Sequence, residues 1–462
     1  MQRLVCVSNR VSLPRRSAPA GGLTAGVLAA LEQVGGLWFG WSGETREQPR
    51  AEPDVVAREH IRFATIDLEP ELFARYYNGY CNGSLWPLFH YFAGRFHHEQ
   101  QDRDAYHAVN ARFAEQLARL LRPDDLVWVH DYHLIPLARY LRRQRFTGPI
   151  GFFLHIPFPH LQVLRVLPGY EELLDDFCRY NLVGFQTEDD LQSFESCLGG
   201  RHVRVGVYPI GVEVDGVAAE ARDNASDETV QRMTASLLGR RLIVGVDRLD
   251  YSKGLTERFA AFEHFLTEYP DNQGKVTFLQ IAPLSRADVP AYGEIRQALE
   301  QMAGRLNGRF AEADWTPVRY LNRNYSHGTL MGFLRAAQAA LVTPVRDGMN
   351  LVAKEFIAAQ DPEDPGVLIL SSLAGAAREL GGALEVNPYD KPEIARALQV
   401  ALHMPLAERR YRHRQLLGAV RRHDIHNWYG TFLGDLTLES ASHENAVNHV
   451  RAHARRPGAH LD

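Results

Sequence analysis

Short apolar runs recur along the chain with room for a helix between each pair, and this alternation restricts the fold more than any other feature. "RLVCVSNR", "DLVWVHDYHL", "IGFFLHIPFP", "LVGFQTEDD" and "VRVGVYPIGV" follow one another through the first half. Strands separated by amphipathic stretches pair in parallel and are covered by helices on both faces. A polar stretch, "EVDGVAAEARDNASDETV", interrupts the rhythm, which restarts with "RLIVGVDRLD", "KVTFLQIAP", "AALVTPVRDG" and "GVLILSS". The expected fold class is α/β, with two doubly wound Rossmann-like domains facing a cleft. The expected limits are 1–234, 235–436 and a polar tail over 437–462. A last helix in "RRHDIHNWYGTFLGDL" is expected to cross back to the first domain.

Composition narrows the partners. A net charge of −5 provides no overall field for nucleic acid or an anionic membrane, so any anionic partner is expected to be small. Four cysteines without CxxC spacing suggest neither a disulfide scaffold nor a zinc site, which fits the cytoplasm. No apolar run approaches the ~20 residues of a membrane span. Of 51 basic residues only Lys253, Lys275, Lys354 and Lys391 are lysine. Lys253 and Lys354 fall in stretches where a compact point charge would serve chemistry.

Ligands of open parallel sheets collect beyond the carboxyl ends of the strands. In "LVTPVRDGMNLVAKEF", Leu341 to Thr343 reads as a strand, Pro344 to Gly348 as a turn and Met349 onwards as a helix. The free NH groups of such a helix start favour an anion, with Asp347 and Glu355 placed for hydroxyls beside it. A capped surface helix would show the same pattern. In "VDRLDYSKGL", Arg248 and Lys253 either neutralise a diphosphate or pair with Asp247 and Asp250. Gly21 and Gly22 of "GGLTAG" permit close backbone approach to a ligand, or form an ordinary turn. "VHDYH" has no second ligand pair, so no metal is expected. The aromatics around Tyr77 and Trp86 suit either a core or the flat faces of a sugar.

Eleven of these stretches occur in the order in which similar ones occur in the trehalose-6-phosphate synthase family: "SNR", "GGL", "LWFGWSGE", "NGSLWPLFHY", "VHDYHL", "FFLHIPFP", "GFQTE", "YPIGV", "DRLDYSKGL", "QIAPLSRADV" and "LVTPVRDGMNLVAKE". The chain resembles that family from about residue 3 to 436. The resemblance implies a retaining glucosyltransferase of the B-type fold that joins glucose from UDP-glucose to glucose 6-phosphate, with no cofactor. It places Gly21, Gly22, Arg248 and Lys253 at the donor diphosphate. Asp347, Gly348, Met349, Asn350, Leu351 and Val352 would hold the donor, and Glu355 its ribose. His155 would lie by the transferred sugar and Asp131 by the acceptor hydroxyls. Arg10, Tyr77 and Arg286 would bind the acceptor phosphate, and Trp86 would shape that pocket. Leu334 stands where a phenylalanine is expected beside the donor base. A homo-oligomer is expected.

The resemblance implies same-face attack, in which the leaving phosphate oxygen takes the acceptor's proton; the competing route is a covalent glucosyl intermediate on Asp131. Rival functions are a glucosylglycerol-phosphate synthase, a GDP- or ADP-glucose-using variant, an epimerase of the same fold, and a catalytically silent regulatory subunit.

Overall fold

The computed structural model describes residues 2–11, 22–284 and 290–438. The first sheet contains β1 (Leu4–Arg10), β2 (Gly36–Thr45), β3 (Asp54–Arg58), β4 (Ile61–Leu68), β5 (Leu126–His130), β6 (Ile150–Phe153), β7 (Leu182–Phe185) and β8 (Arg204–Val207). Their order is β3-β4-β2-β1-β5-β6-β7-β8, and every pairing is parallel except β3 with β4. The second sheet contains β9 (Arg241–Val246), β10 (Val276–Ile281), β11 (Val318–Leu321), β12 (Ala339–Val342), β13 (Val367–Ser371) and β14 (Leu384–Val386), all parallel, in the order β11-β10-β9-β12-β13-β14. The central strands read as unbroken apolar runs because helices cover both of their faces. Ala339–Val342, for instance, is apolar and buried at all four positions.

Three of the helices that follow these strands start on side chains that accept backbone NH groups. Thr187 caps Glu188–Cys197, Ser326 caps His327–Ala336 and Asn350 caps Leu351–Ala359. Each cap fixes where its helix begins, and hence where the loop before it faces the cleft.

The division between domains falls earlier than the expected boundary at 234/235. Helices Val214–Asp223 and Glu228–Ala235 pack on His327–Ala336 and Leu351–Ala359, beneath the second sheet. The polar composition of 213–230 reflects their exposed outer face; Val214, Val217 and Val230 are buried on the inner one. The chain therefore crosses between domains at about 208–213. It crosses back at 423–425, where Ile425 N donates to Val212 O at 3.3 Å. A helix over 425–438 then lies against the first sheet, with Trp428 tilted against Trp128 at 4.8 Å and Phe432 stacked on it at 4.9 Å. The Tyr208 hydroxyl donates to Asp435 at 2.7 Å and secures its far end. Most of the expected tail, from 439 on, lies outside the described residues.

Candidate active site

Helix Leu351–Ala359 begins two residues later than the sequence suggests, because Asn350 acts as its cap rather than its first turn. Asn350 Oδ1 accepts from Ala353 N at 3.3 Å, and the residue adopts φ 86°, an unusual conformation for a non-glycine residue. Its amide nitrogen donates to Asp347 Oδ2 at 3.0 Å. The same carboxylate oxygen accepts from Lys253 Nζ at 2.5 Å. Burial pushes the Asp347 carboxyl up, but the adjacent ammonium prevails and holds it below the ordinary carboxylate range. The loop is fixed from behind, with Gly375 N donating to Asp347 O and Ala376 N to Met349 O, at 3.0 and 2.8 Å.

Lys253 reaches Asp347 from a short turn, Tyr251–Lys253, capped by Asp250 and closed by Gly254 at φ 63°. The fully buried Arg258 braces that turn: it donates to Asp247 Oδ2 at 2.7 Å, Gln280 Oε1 at 2.9 Å, Thr343 Oγ1 at 3.0 Å and Lys253 O at 3.3 Å. Asp247 and Asp250 are thus occupied by Arg258 and by a cap, and neither is the partner of Lys253. Arg248 at the end of β9 is exposed and makes no hydrogen bond or ion pair among the described residues.

Across the cleft, Gly348 packs on the carbonyl of His155 and Gly22 on the side chain of Leu351, each so closely that a Cβ would overlap. The donor-side loop and helix start therefore abut the first domain directly. Asp131, at φ 76°, accepts from His155 N at 3.2 Å. The His155 and His130 rings approach at 3.2 Å between Nε2 and Nδ1, under Trp428. Burial drives both towards the neutral form, His155 to about 3 and His130 well below its ordinary value. Two neutral rings can share one hydrogen bond, whereas two cations would repel.

The acceptor side is built on a π-helix, Ala74–Leu85, a helical form frequent at functional sites. It presents Tyr77 between Phe73 and His133, stacked at 5.1 and 5.7 Å. Phe73 packs on Trp41 at 4.4 Å, and the Arg10 guanidinium lies 5.8 Å from the Trp41 ring. Trp86 packs on His90 at 4.0 Å. Burial lowers His90 to about 4, against the pull of Asp250, and Asp347 and Lys253 also act on it. The contacts run without a break from Arg10 through Trp41, Phe73, Tyr77 and His133 to Asp131, then by His155 and Gly348 to Asp347 and Lys253.

With that geometry established, the profile of glycosyltransferase family 20 matches residues 8–438. The chain belongs to glycosyltransferase family 20. A trehalose-6-phosphate synthase of Cronobacter sakazakii is 47% identical over 453 residues, 94% of this chain and 95% of the relative. The crystal structure of an α,α-trehalose-phosphate synthase (UDP-forming) from Burkholderia xenovorans in complex with glucose-6-phosphate superposes with a TM-score of 0.91 at 48% identity, covering 94% of this chain and 100% of that one. An Escherichia coli structure bound with UDP-2-fluoro glucose gives a TM-score of 0.89 at 46% identity, covering 94% of this chain and 99% of that one.

In this family 20 glycosyltransferase Arg248 stands exposed without a partner among the described residues, Glu355 faces His327, Met349 O accepts from Ala376 N, and Val352 is partly buried against the core. Gly22, Asp131, His155, Lys253, Asp347, Gly348, Asn350, Leu351, Tyr77, Trp86 and Arg10 belong to the contact system described above. Gly21 and Arg286 lie outside the described residues. Leu334 is a correction. It is 1% exposed near the C-terminal end of helix His327–Ala336, and its carbonyl accepts from Gln360 Nε2 at 2.6 Å, so it faces the core and offers the cleft nothing. The opposite end of that helix meets the cleft, where His327 lies 3.6 Å from Glu355.

Lys354 also differs from its expected use. Its ammonium is fully buried and donates to Ile210 O at 2.8 Å, beside Glu379 at 2.5 Å. It points away from any ligand and ties the donor helix to the interdomain crossing. Arg258 and His327 were missed because their partners are far away in sequence, and so was His133, stacked on the distant Tyr77; His90 was also missed, although its neighbour Trp86 is only four residues away. Among the described residues no group of three or more His, Cys, Asp or Glu could hold a metal ion, and no helix is long and apolar enough to cross a membrane.

Proposed function

We propose that this cleft transfers glucose from UDP-glucose to glucose 6-phosphate, giving α,α-trehalose 6-phosphate and UDP with retention at the anomeric carbon. The observation that carries the reading is the junction of the donor loop with the first domain. Lys253 and the Leu351 helix start stand directly across Gly348 and Gly22 from Asp131 and His155, within one connected set of residues. Relatives solved with glucose-6-phosphate and with UDP-2-fluoro glucose support both substrates.

The chemistry follows from the charges. As the glycosidic C–O bond breaks, negative charge gathers on the leaving diphosphate, where Lys253 and the helix NH groups are already oriented and the exposed Arg248 is free to close on it. The acceptor hydroxyl attacks on the face the diphosphate leaves, and its proton passes to the departing phosphate oxygen. Asp131, held by His155 N, orients the acceptor. Because the leaving-group charge is met by these residues, the reading calls for no metal or cofactor. Four free thiols suit a reducing compartment, and we assign the enzyme to the cytoplasm on that basis.

Purified protein supplied with both sugars should release UDP and form one phosphorylated disaccharide. GDP-glucose, ADP-glucose and glycerol 3-phosphate are the discriminating substitutes, and faster turnover with any of them would replace this reading. Asp131→Asn should lower turnover while leaving UDP binding intact. A glucosyl adduct trapped on Asp131 would overturn same-face attack.

A further inference from the structure

We infer that His327 is a positioning residue for the donor: its imidazole, clamped between two carboxylates, holds Glu355 in the orientation that receives the ribose hydroxyls. The inference rests on the donor reading of Glu355 given above. Three helices remote in sequence converge at this ring. His327 opens helix His327–Ala336, where Ser326 Oγ accepts from Thr329 N at 3.1 Å and fixes the first turn. From there Nδ1 lies 2.6 Å from Glu220 Oε2 on helix Val214–Asp223, and Nε2 lies 3.6 Å from Glu355 Oε1 on helix Leu351–Ala359. The neighbouring Gly328 packs on Asn224 with no space for a Cβ, which locks the helix start to the end of Val214–Asp223.

A neutral imidazole donates from one nitrogen only, so facing carboxylates at both requires the charged form. The negative charge of Glu355, opposed by burial and reinforced by the hydrogen-bonded Glu220, raises His327 to about 9. A cation at a helix N-terminus works against the helix dipole, so local helix stability does not account for it. Its position is explained by what the ring does to Glu355, a half-buried carboxylate that would otherwise be free to rotate. Glu220 in turn anchors the ring from the helix that follows the crossing, which links the donor site to the interdomain connection.

The test is a steady-state comparison with UDP-glucose and glucose 6-phosphate varied separately, together with calorimetric titration by UDP. His327→Ala should raise KM for UDP-glucose and weaken UDP binding by about tenfold, the range expected when a partly buried carboxylate loses the ion pair that orients it. The KM for glucose 6-phosphate should stay within about twofold, and His327→Lys should recover most of the donor affinity. Glu220→Gln, which keeps the ring in place, should weaken UDP in the same direction by less, and it serves if His327→Ala fails to fold. Unchanged UDP affinity in these variants, or equal losses for both substrates, would overturn the inference. Glu355→Gln separates the two levels: if it leaves UDP affinity intact, the donor reading of Glu355 fails. If it weakens UDP while His327→Ala does not, only the role of His327 fails.

Discussion

Gly348 of the donor loop lies against the carbonyl oxygen of His155 in the opposite domain, leaving no space for even a methyl group between them. The obstacle is backbone, which cannot turn aside. Gly348→Ala should therefore hold the two domains apart and lower kcat/KM at least about tenfold, since small misplacements of reacting groups cost that much or more. Gly22→Ala meets only the end of the Leu351 side chain and should be milder. Steady-state rates for the pair check this, and equal effects would contradict the backbone-approach explanation.

Arg248 and Lys253 share a proposed role but differ in surroundings, so stability should separate them where activity does not. Both alanine variants should lose about 10²–10³ in turnover, as removal of a preorganised charge donor does. Arg248→Ala should leave stability within ~0.5 kcal/mol, because the side chain is exposed and has no partner among the described residues. Lys253→Ala deprives Asp347 of its cation and should cost about 2 kcal/mol. Denaturant unfolding beside UDP-release rates would show whether the two separate.

Much of the architecture was readable because the buried parallel strands are continuous apolar runs. The less legible strands explain themselves. β3 is exposed throughout, β14 has three residues, and β2 is rich in glycine and aromatics that also suit a sugar site. The misplaced domain boundary has one cause: 213–230 is polar on the outside of two amphipathic helices, and composition alone does not reveal which face is buried. Site residues at strand ends, such as Asp131, Arg248 and Asp347, were accessible from position. Arg258 and His327 were not, because their partners come from segments that only folding brings together. Leu334 came from the family resemblance alone, and a resemblance in sequence does not reveal that the side chain at that position is buried.

Acid should destabilise the protein through buried imidazoles. His90, His130 and His155 all have folded-state values below the ordinary histidine range, chiefly from burial, with His90 near 4 and His155 near 3. The unfolded chain then binds more protons than the native one, so their contribution is complete above about pH 6.5 and falls as pH drops from there towards 3. Calorimetric Tm should decline across that window. His90→Asn, which removes one titrating ring, should flatten the decline; an unchanged slope would exclude His90.

Lys354 and Glu379 form a buried pair at the crossing, with side chains 0% and 8% exposed. Lys354→Met should destabilise by about 3 kcal/mol, because it leaves the Ile210 carbonyl without its donor and Glu379 with His423 as its remaining partner. Adding Glu379→Gln should return part of that loss. A double-mutant cycle by chemical denaturation measures the coupling, and simple additivity of the two changes would argue against it.

The central claim is retaining transfer between two small sugars across the interdomain cleft. NMR of a reaction containing UDP-glucose and glucose 6-phosphate tests it most directly. The predicted result is stoichiometric UDP with a phosphorylated disaccharide carrying α configuration at both anomeric carbons. A β-linked product, or UDP accompanied only by free glucose, would contradict it.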